Sequence, residues 1–277
     1  MALDKYLQEN NVDILLDTLV TFPVMEGSVC KGIVAEAREG RVFYGTKVVV
    51  DATGDASVLY QAGVPTVEGE NFLSYVAHFT SYELAEKFVA DKNMCKFRKW
   101  IGVGSNLYGK GHPEGMKLFK GVTSEDVTEF VLTGRKMLFE KIISADRNSR
   151  DITMLPFMPQ FRKIRRLVGE YEFTGNELDV RFENAIGSAG DFRTRDRHYQ
   201  IPYTCLYNKD FDNLLAAGRI ISAGGEGWEI TRVIPVAALT GQAAGLAAAM
   251  SLSSGKVKDV DIPLMQQKLK DSGVLFV

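Results

Sequence analysis

One short stretch constrains the fold of this chain more than any other. Residues 48–54 read VVVDATG, so a run of β-branched valines ends in an acidic residue and a glycine turn. β-branched residues favour a buried strand, and glycine lets the backbone leave that strand sharply. Open α/β sheets bind their ligands in the crevice at the carboxyl ends of parallel strands. The stretch therefore predicts an α/β fold and a candidate ligand site that begins near Thr53.

The composition is that of a globular chain of one large domain or two ordinary ones. The 277 residues are 45% hydrophobic and 25% charged, which provides enough apolar sequence for a sizeable core. The 33 basic and 35 acidic residues leave a net charge of −2, without the basic excess that attracts nucleic acid or an anionic membrane. We therefore expect neither of these partners.

Cysteine and histidine are too scattered to indicate a metal site or a disulfide framework. Cys30, Cys95 and Cys205 form no closely spaced pair. His78 and His112 have no acidic or cysteine partner at the spacing of metal ligands. The chain opens with MALDKYLQENN, which is polar and charged where a secretory signal has an apolar core. These features predict no metal and a cytoplasmic location.

Residues 233–252, VIPVAALTGQAAGLAAAMSL, carry no charge over a length that would span a membrane. Gly241 and Gly245 have the GxxxG spacing of packed transmembrane helices. Alanine dominates the segment, however, and Pro235 and Gln242 lower its hydrophobicity further. Because a helix buried against a sheet needs the same small residues, a core helix is favoured over a membrane span.

Hydrophobic periodicity predicts the order of the other elements. Residues 3–10 favour a helix, and residues 13–54 read as an antiparallel meander that leads into a strand at 47–52. A capped helix is predicted from Thr123 to about Ala145. Further on, NLLAAGRIISAGG reads as a strand with a glycine turn, and a helix rich in small residues is predicted at 235–252.

Neither of the common phosphate-binding motifs is complete. Residues 104–111, GSNLYGKG, follow the P-loop pattern for seven positions, but Gly111 stands where a hydroxyl must bind magnesium. His112 and Pro113 come next, so no helix amino terminus follows the loop and a surface loop is favoured. No GxGxxG occurs in the 277 residues.

Several segments together resemble the FAD-dependent oxidoreductase family of the glutathione-reductase-like flavoprotein fold. The segments that carry the resemblance are KVVVDATGD (47–55), FRKIRRLVGEYEFT (161–174), IPY (201–203) with Leu206, AGRIIS (217–222), Arg232 and GQAAG (241–245). The last three follow one another in the family's order. The resemblance covers residues 1–65 and 150–252 well and residues 66–122 poorly.

The resemblance implies an α/β fold with a partial FAD/NAD(P)-binding domain of the glutathione-reductase-like type and an inserted α+β substrate or cap domain. Residues 1–65 and 211–277 would belong to the FAD-binding domain, and residues 66–210 would form the inserted domain. It further implies FAD-dependent redox chemistry on a small organic substrate.

The resemblance also implies where FAD would lie. The residues expected to contact it are Thr53, Gly54, Asp55, Gly218, Arg219, Ser222, Gly241, Gln242 and Ala244. A flavin gains negative charge on its pyrimidine edge when it is reduced, and we expect a helix amino terminus around Thr240–Gln242 to face that edge. Taken singly, these residues also fit ordinary roles, such as a surface ion pair for Arg219 and a helix cap for Asp55.

Two residues are candidates for catalysis. His198 lies in RTRDRHY (193–199), where imidazole can carry protons near neutral pH and neighbouring arginines can clamp a carboxylate. A solvated basic loop is an equally good interpretation of that segment. Arg232 is the second candidate acid or clamp.

The family's amino-terminal strand, GxGxxG turn and helix, which hold the FAD pyrophosphate, have no counterpart in these residues. We therefore expect FAD to bind weakly or not at all to the isolated chain, and a partner chain carrying the GxGxxG segment to complete the site. Exposed strand edges predict dimers or aggregates. The alternative is a non-catalytic remnant or subunit that acts by association with a partner chain.

Overall fold

The computed structural model describes all residues from 1 to 277, and the chain divides into two compact units. The first unit combines residues 1–67 with residues 166–277, and the second consists of residues 68–165. Two distant stretches of chain therefore build the first unit, whereas a single stretch builds the second.

The chain is a mixture of helices and strands, as the sequence predicts. The helices are α1 (Ala2–Glu9), α2 (Ser57–Gln61), α3 (Tyr82–Asp91), α4 (Ser124–Ile143), α5 (Gly225–Thr231), α6 (Ile234–Met250) and α7 (Ile262–Asp271). The strands are β1 (Leu19–Glu26), β2 (Val29–Ala37), β3 (Gly40–Gly45), β4 (Val49–Asp51), β5 (Thr66–Glu68), β6 (Ser74–Ser81), β7 (Lys99–Gly104), β8 (Arg150–Met154), β9 (Arg165–Leu167), β10 (Ala185–Gly190), β11 (His198–Pro202) and β12 (Leu214–Ala216).

β1, β2 and β3 form an antiparallel meander, which confirms the prediction from the sequence. The turn between β1 and β2 contains Gly27 at φ +59°, a left-handed conformation that glycine adopts without steric cost. The buried side chain of Asn213 accepts a hydrogen bond from the Cys30 N–H at 2.8 Å and donates one to the Cys30 carbonyl at 2.7 Å. One buried amide thus fixes the meander beside the start of β12.

β4 and β12 form a short parallel pair in the first unit. Val49 lies opposite Leu214, and Asp51 lies opposite Ala216. Parallel strands end at the same edge of a sheet, so the two segments that follow Asp51 and Ala216 leave it side by side. α6 contacts both strands and buries small residues such as Ala244 in the core. The pair therefore places residues 52–55 beside residues 217–219, the two segments that the sequence assigns to one ligand site.

Residues 166–210, which the sequence places in the middle segment 66–210, pack into the core of the first unit. β10 and β11 form an antiparallel pair within them. The buried residues that the segment 166–210 supplies to this core include Leu167, Phe173, Ile186, Tyr199 and Ile201. These side chains belong to the same apolar cluster as Leu215 of β12 and Ala244 of α6, because burial of the apolar residues of β10 and β11 requires a partner layer.

The second unit is a three-stranded antiparallel sheet in the order β7, β6, β8 with α4 on one face. The Thr123 hydroxyl caps α4 by accepting a hydrogen bond from the Asp126 N–H, which confirms the predicted start of this helix. Gly134 lets α4 approach the sheet closely, since a Cβ there would lie 2.6 Å from the ring of Tyr75. Tyr75 and Phe130 are buried between the sheet and the helix.

No single helix is long and apolar enough to cross a membrane. Only α5 and α6 taken together reach the length and apolar composition of a membrane-spanning segment, and the two helices meet at an angle of 86°.

Candidate functional site

The carboxyl end of β4 is held by a buried carboxylate. Asp51 is 1% exposed, and its Oδ1 accepts hydrogen bonds from the Thr53 N–H at 2.9 Å and the Thr53 hydroxyl at 2.6 Å. Its Oδ2 accepts from the Leu59 N–H, in α2, at 3.0 Å. Three donors on one side chain therefore fix the turn 52–55 against the helix that follows it.

Gly54 and Arg219 join the ends of β4 and β12. The Arg219 Nε donates to the Gly54 carbonyl at 2.6 Å, and the two terminal nitrogens of this guanidinium have no acceptor in the structure. Gly54 adopts φ +80°, and a Cβ there would lie 2.8 Å from the Arg219 Cζ. Burial lowers the pKa of Arg219, and the charge of Asp55 opposes this shift. The structure thus brings together two residues that the sequence assigns to one site.

Asp55 has a second role at the same turn. Its Oδ1 accepts a hydrogen bond from the Ser57 N–H at 3.1 Å, at the start of α2. The N-cap of α2 is Ala56 and no side chain caps this helix, so the bond to Ser57 makes a local turn rather than the helix cap considered for Asp55. The charge of Asp55 also acts on Arg219.

Gly218 and Thr240 fasten the end of β12 to α6. The Gly218 N–H donates to the Thr240 Oγ1 at 2.9 Å, and this hydroxyl donates to the Val236 carbonyl at 2.8 Å. Gly218 adopts φ +81°, and a Cβ there would meet only the Ala237 Cβ, at 3.9 Å. Ser222 follows in the buried chain, and its hydroxyl has no hydrogen-bond partner.

α6 begins at Ile234, which corrects the expected amino terminus around Thr240–Gln242. Gly241, Gln242 and Ala244 lie inside the helix, so their N–H groups belong to its internal hydrogen bonds rather than facing a ligand. Pro235 explains the earlier start, because proline favours the first turn of a helix. Because α6 begins at Ile234, the positive end of its helix dipole lies at residues 233–236, and no side chain caps that end.

Trp228 completes the support of Arg219, and the sequence analysis did not identify it. Its Nε1 donates to the Arg219 carbonyl at 2.7 Å, so both the backbone and the side chain of Arg219 are fixed. The guanidinium of Arg166 lies 5.8 Å from the centroid of the Trp228 ring, and Arg166 pairs with Glu172 at 2.8 Å. In the sequence, the signal that could have indicated this contact was a tryptophan directly after the glycine-rich residues 224–227.

The charge of Arg232 is already paired. Its Nε donates to Glu229 at 2.7 Å, and its Cζ lies 5.9 Å from the centroid of the Phe192 ring. Phe192 belongs to the loop 191–197 that leads to His198, so the structure places Arg232 beside that loop. A clamp role for Arg232 would therefore compete with the pair that it forms with Glu229.

His198 begins β11 and is exposed, and its imidazole makes no hydrogen bond. In the adjoining loop, Arg193 bonds Asp191 at 2.9 Å and Glu226 at 2.5 Å. The hydrogen bond from Arg193 holds the pKa of Asp191 below its usual value. Arg193 is therefore committed to carboxylates of this chain, and the structure shows no contact between His198 and Arg219.

The comparisons with known proteins agree with the resemblance read from the sequence. The model of a family described as FAD dependent oxidoreductase matches residues 1–76 and 126–269. No curated protein matches the chain.

Two solved structures are similar over almost the whole chain. CabE, an aromatic hydroxylase from angucycline biosynthesis, has 12% sequence identity and a TM-score of 0.40, over 98% of this chain and 51% of CabE. L-proline dehydrogenase from P. horikoshii has 14% identity and a TM-score of 0.31, over 97% of this chain and 57% of that chain. The chain thus spans little more than half the length of either protein.

Proposed function

Since the chain belongs to the FAD-dependent oxidoreductase family, we propose that it takes part in flavin-dependent redox chemistry on a small organic substrate. The proposal includes a glutathione-reductase-like FAD-binding domain, formed by the first unit, and a substrate or cap domain inserted into it. The observation that carries the proposal is the Gly54–Arg219 contact between the ends of two parallel strands.

The residues at these strand ends fit the polar edge of a flavin. The terminal nitrogens of Arg219 are donors without acceptors, and a Cβ at the neighbouring Gly218 would meet only the Ala237 Cβ, at 3.9 Å. The uncapped amino terminus of α6 adds the positive end of a helix dipole. Arg219, Gly54 and Gly218 would therefore hold FAD, with Thr53 and Asp55 lining the turn and Ser222 offering an unused hydroxyl.

When bound, FAD supplies the electron transfer, and the residues of this chain supply charge, orientation and proton transfer. Arg219 provides a positive charge that Trp228 and Gly54 keep in place. His198 is the proposed proton carrier, because its imidazole is exposed and makes no hydrogen bond within the chain. Arg232 is proposed to orient the loop beside His198 through Phe192.

The phosphates of FAD need a further partner. β4 bonds β12 through Val49 and Asp51, as shown by the Val49 N–H to Asn213 and the Ala217 N–H to Asp51. The backbone groups of Val50 therefore face the opposite edge, where no strand pairs with β4. We propose that a strand from a segment carrying GxGxxG pairs with this edge and brings its glycine turn to the pyrophosphate.

Coexpression with a GxGxxG-bearing fragment tests this proposal. The chain alone should be almost colourless after purification, and the complex should be yellow with the absorbance spectrum of a bound flavin. A fragment with the same strand but alanines in the glycine positions is the matched control, and it should leave the chain colourless. A chain that is yellow by itself, or a complex that remains colourless, would contradict the shared site.

A second candidate function is a non-catalytic subunit, and the unpaired edge of β4 favours it equally, since that edge can bind a partner without chemistry. Reduction of the yellow complex by a substrate in a stopped-flow screen would support the enzyme. A stable complex that no organic substrate reduces would support the subunit.

A further inference from the structure

A surface cavity of about 630 Å³ lies on the second unit, on the side of its sheet that faces away from α4. Alternate residues of a strand face opposite sides of a sheet. Ala77 of β6 is buried in the core with Phe130 of α4, so its neighbour His78 faces the other side, where it pairs with Trp100 of β7. The other lining residues used below are Phe97, Arg98 and Lys99.

The cavity carries positive charge that no residue of the chain neutralises. Arg98 and Lys99 are exposed, and neither forms an ion pair or a side-chain hydrogen bond in the structure. No aspartate or glutamate lines the cavity. Lys96, only two residues from Arg98, is by contrast paired with Asp91. Lys99 directly precedes Trp100 in β7, so its side chain leaves the sheet on the opposite side, and Arg98 is the cation that can lie beside Trp100. An unpaired guanidinium, with its planar set of N–H donors, is the group that recognises a carboxylate.

An aromatic surface adjoins these cations. Trp100 is 76% exposed, although tryptophan is a residue that usually buries most of its ring. The ring of His78 meets it edge-on, with centroids 6.2 Å apart and planes at 78°. Phe97 and Met94 add apolar lining beside it. A planar ring placed against Trp100 would therefore cover apolar surface that the chain itself leaves in water.

We propose that this cavity binds a small aromatic carboxylate. The carboxylate accepts hydrogen bonds from the guanidinium of Arg98, and the ring packs against Trp100 and Phe97. The adjoining apolar surface favours an aromatic acid over a bare phosphate, which would leave Trp100 exposed. The inference rests on the second unit alone and does not depend on flavin binding.

Titration of the full chain with benzoate tests the proposal. Tryptophan emission reports binding, because the only other tryptophan, Trp228, is buried at 6% exposure. Benzoate should change the emission with a saturable curve, and calorimetry should give the same affinity. Benzamide, which lacks the charge, and cyclohexanecarboxylate, which lacks the aromatic ring, should each bind more weakly.

Variants of the cavity separate its parts. Arg98→Ala should weaken benzoate binding by about tenfold or more, because it removes a charge-assisted contact, whereas Lys99→Ala, on the opposite side of the sheet from Trp100, should weaken it less. Trp100→Phe should abolish most of the emission change while calorimetry still detects binding. Lys96→Ala is the matched control, since it removes a nearby cation that is already paired. All four positions are exposed, and circular dichroism should show unchanged folding.

Several outcomes would overturn the proposal. One is benzoate binding that does not saturate with the wild-type chain. Another is an affinity that Arg98→Ala leaves unchanged, or that Lys96→Ala lowers equally. Equal affinity for benzamide would remove the carboxylate from the proposal, and equal affinity for cyclohexanecarboxylate would remove the aromatic ring.

Discussion

The two compact units use their basic side chains in different ways. In the first unit, Arg193 and Arg232 are paired with carboxylates, and Arg219 is bonded to the Gly54 carbonyl. In the second unit, Arg98 and Lys99 face solvent with no acidic partner. These three arginines of the first unit therefore fix its own loops, whereas Arg98 and Lys99 have no acidic partner, although Lys96 and Lys117 of the same second unit are paired with carboxylates.

The family match divides the two units in a similar way. Within the range that it covers, the family model leaves residues 77–125 unmatched, and all of these belong to the second unit. The scaffold that a family shares depends on glycines and buried polar contacts, which few other residues can replace. A surface that selects a ligand depends on exposed side chains that vary more freely. The family match therefore covers the first unit up to residue 269 but only half of the second unit, where residues 77–125 stand outside it.

The largest effect that we expect is on the free energy of unfolding, when one hydrogen-bonded carboxylate is removed from each unit. Asp51→Ala leaves three donors without an acceptor and should lower the free energy of unfolding by about 3 kcal/mol or more. Asp126→Ala in the second unit removes one short bond from the Gly121 N–H and an ion pair with the half-exposed Lys117, and it should cost about 1–2 kcal/mol. Chemical denaturation measures both, with exposed Asp13→Ala as the control.

Equal losses of unfolding free energy for Asp51→Ala and Asp126→Ala would mean that the two carboxylates stabilise their units equally. The first unit would then not depend more strongly on its buried hydrogen bonds than the second. A loss at Asp13, which takes part in no ion pair or side-chain hydrogen bond, would show that the assay responds to charge alone.

The second prediction tests whether Arg219 serves a ligand as well as the fold. In the complex with a GxGxxG fragment, Arg219→Ala should weaken flavin retention by about 10- to 100-fold, since a charged hydrogen bond contributes about 1.5–3 kcal/mol. Flavin content after gel filtration measures this effect. Arg193→Ala is the matched control, because its charge is committed to Asp191 and Glu226. Full flavin occupancy in the Arg219 variant at low protein concentration would leave this arginine with a structural role only.

The third prediction compares two glycines of the first unit that share a backbone conformation. Gly54 and Gly63 adopt φ +80° and +82°, so alanine at either position carries a strain of about 1 kcal/mol. Only at Gly54 would the new Cβ meet the Arg219 Cζ, at 2.8 Å, while nothing lies within 4 Å of it at Gly63. Gly54→Ala should therefore lower the free energy of unfolding by more than Gly63→Ala.

The double variant Gly54→Ala/Arg219→Ala shows the cause of that difference. If the guanidinium creates the excess loss, removing it should bring the effect of Gly54→Ala down to that of Gly63→Ala. Denaturation curves in which the two glycine variants coincide from the outset would mean that Arg219 moves aside without cost.

The sequence predicted those parts of the site that depend on backbone geometry. The strand end at residues 48–54 and the small-residue helix are readable because β-branched runs, glycine turns and alanine spacing restrict the backbone directly. The predicted bounds of that helix, 235–252, agree with α6, but its ligand-facing end was placed around Thr240–Gln242, although Pro235 carries the stronger signal for a helix start. Trp228 was missed because its contact joins residues nine positions apart across a turn.

The cavity of the second unit was beyond sequence reasoning for a different reason. His78 and Trp100 meet only because β6 and β7 pair in one register, and no local spacing reveals that register. Arg98 and Lys99 differ from Lys96 only in lacking an acidic partner, which is a fact of the folded structure. Exposed side chains on a sheet face leave no periodic signature of their function.

The smallest effect that we expect concerns acid and salt. Arg193 lowers the pKa of Asp191, and for Asp126 the bonds from the Gly121 N–H and Lys117 outweigh burial, so its pKa is lowered too. A lowered pKa in the folded state stabilises the fold above the unfolded pKa, and this contribution is lost as pH falls through the folded pKa. Asp191→Asn and Asp126→Asn should therefore each reduce the loss of unfolding free energy below about pH 4.

Salt should then distinguish the two units. Lys117 is half exposed, whereas Arg193 and Asp191 are largely buried, so added salt should screen the pair in the second unit far more. Denaturation at low and high ionic strength should show the effect of Asp126→Asn shrinking while that of Asp191→Asn persists. Equal screening of the two ion pairs would mean that the loop 191–197 is as open to solvent as the second unit. The proposed difference between the buried Arg193–Asp191 pair and the more exposed Lys117–Asp126 pair would then be wrong.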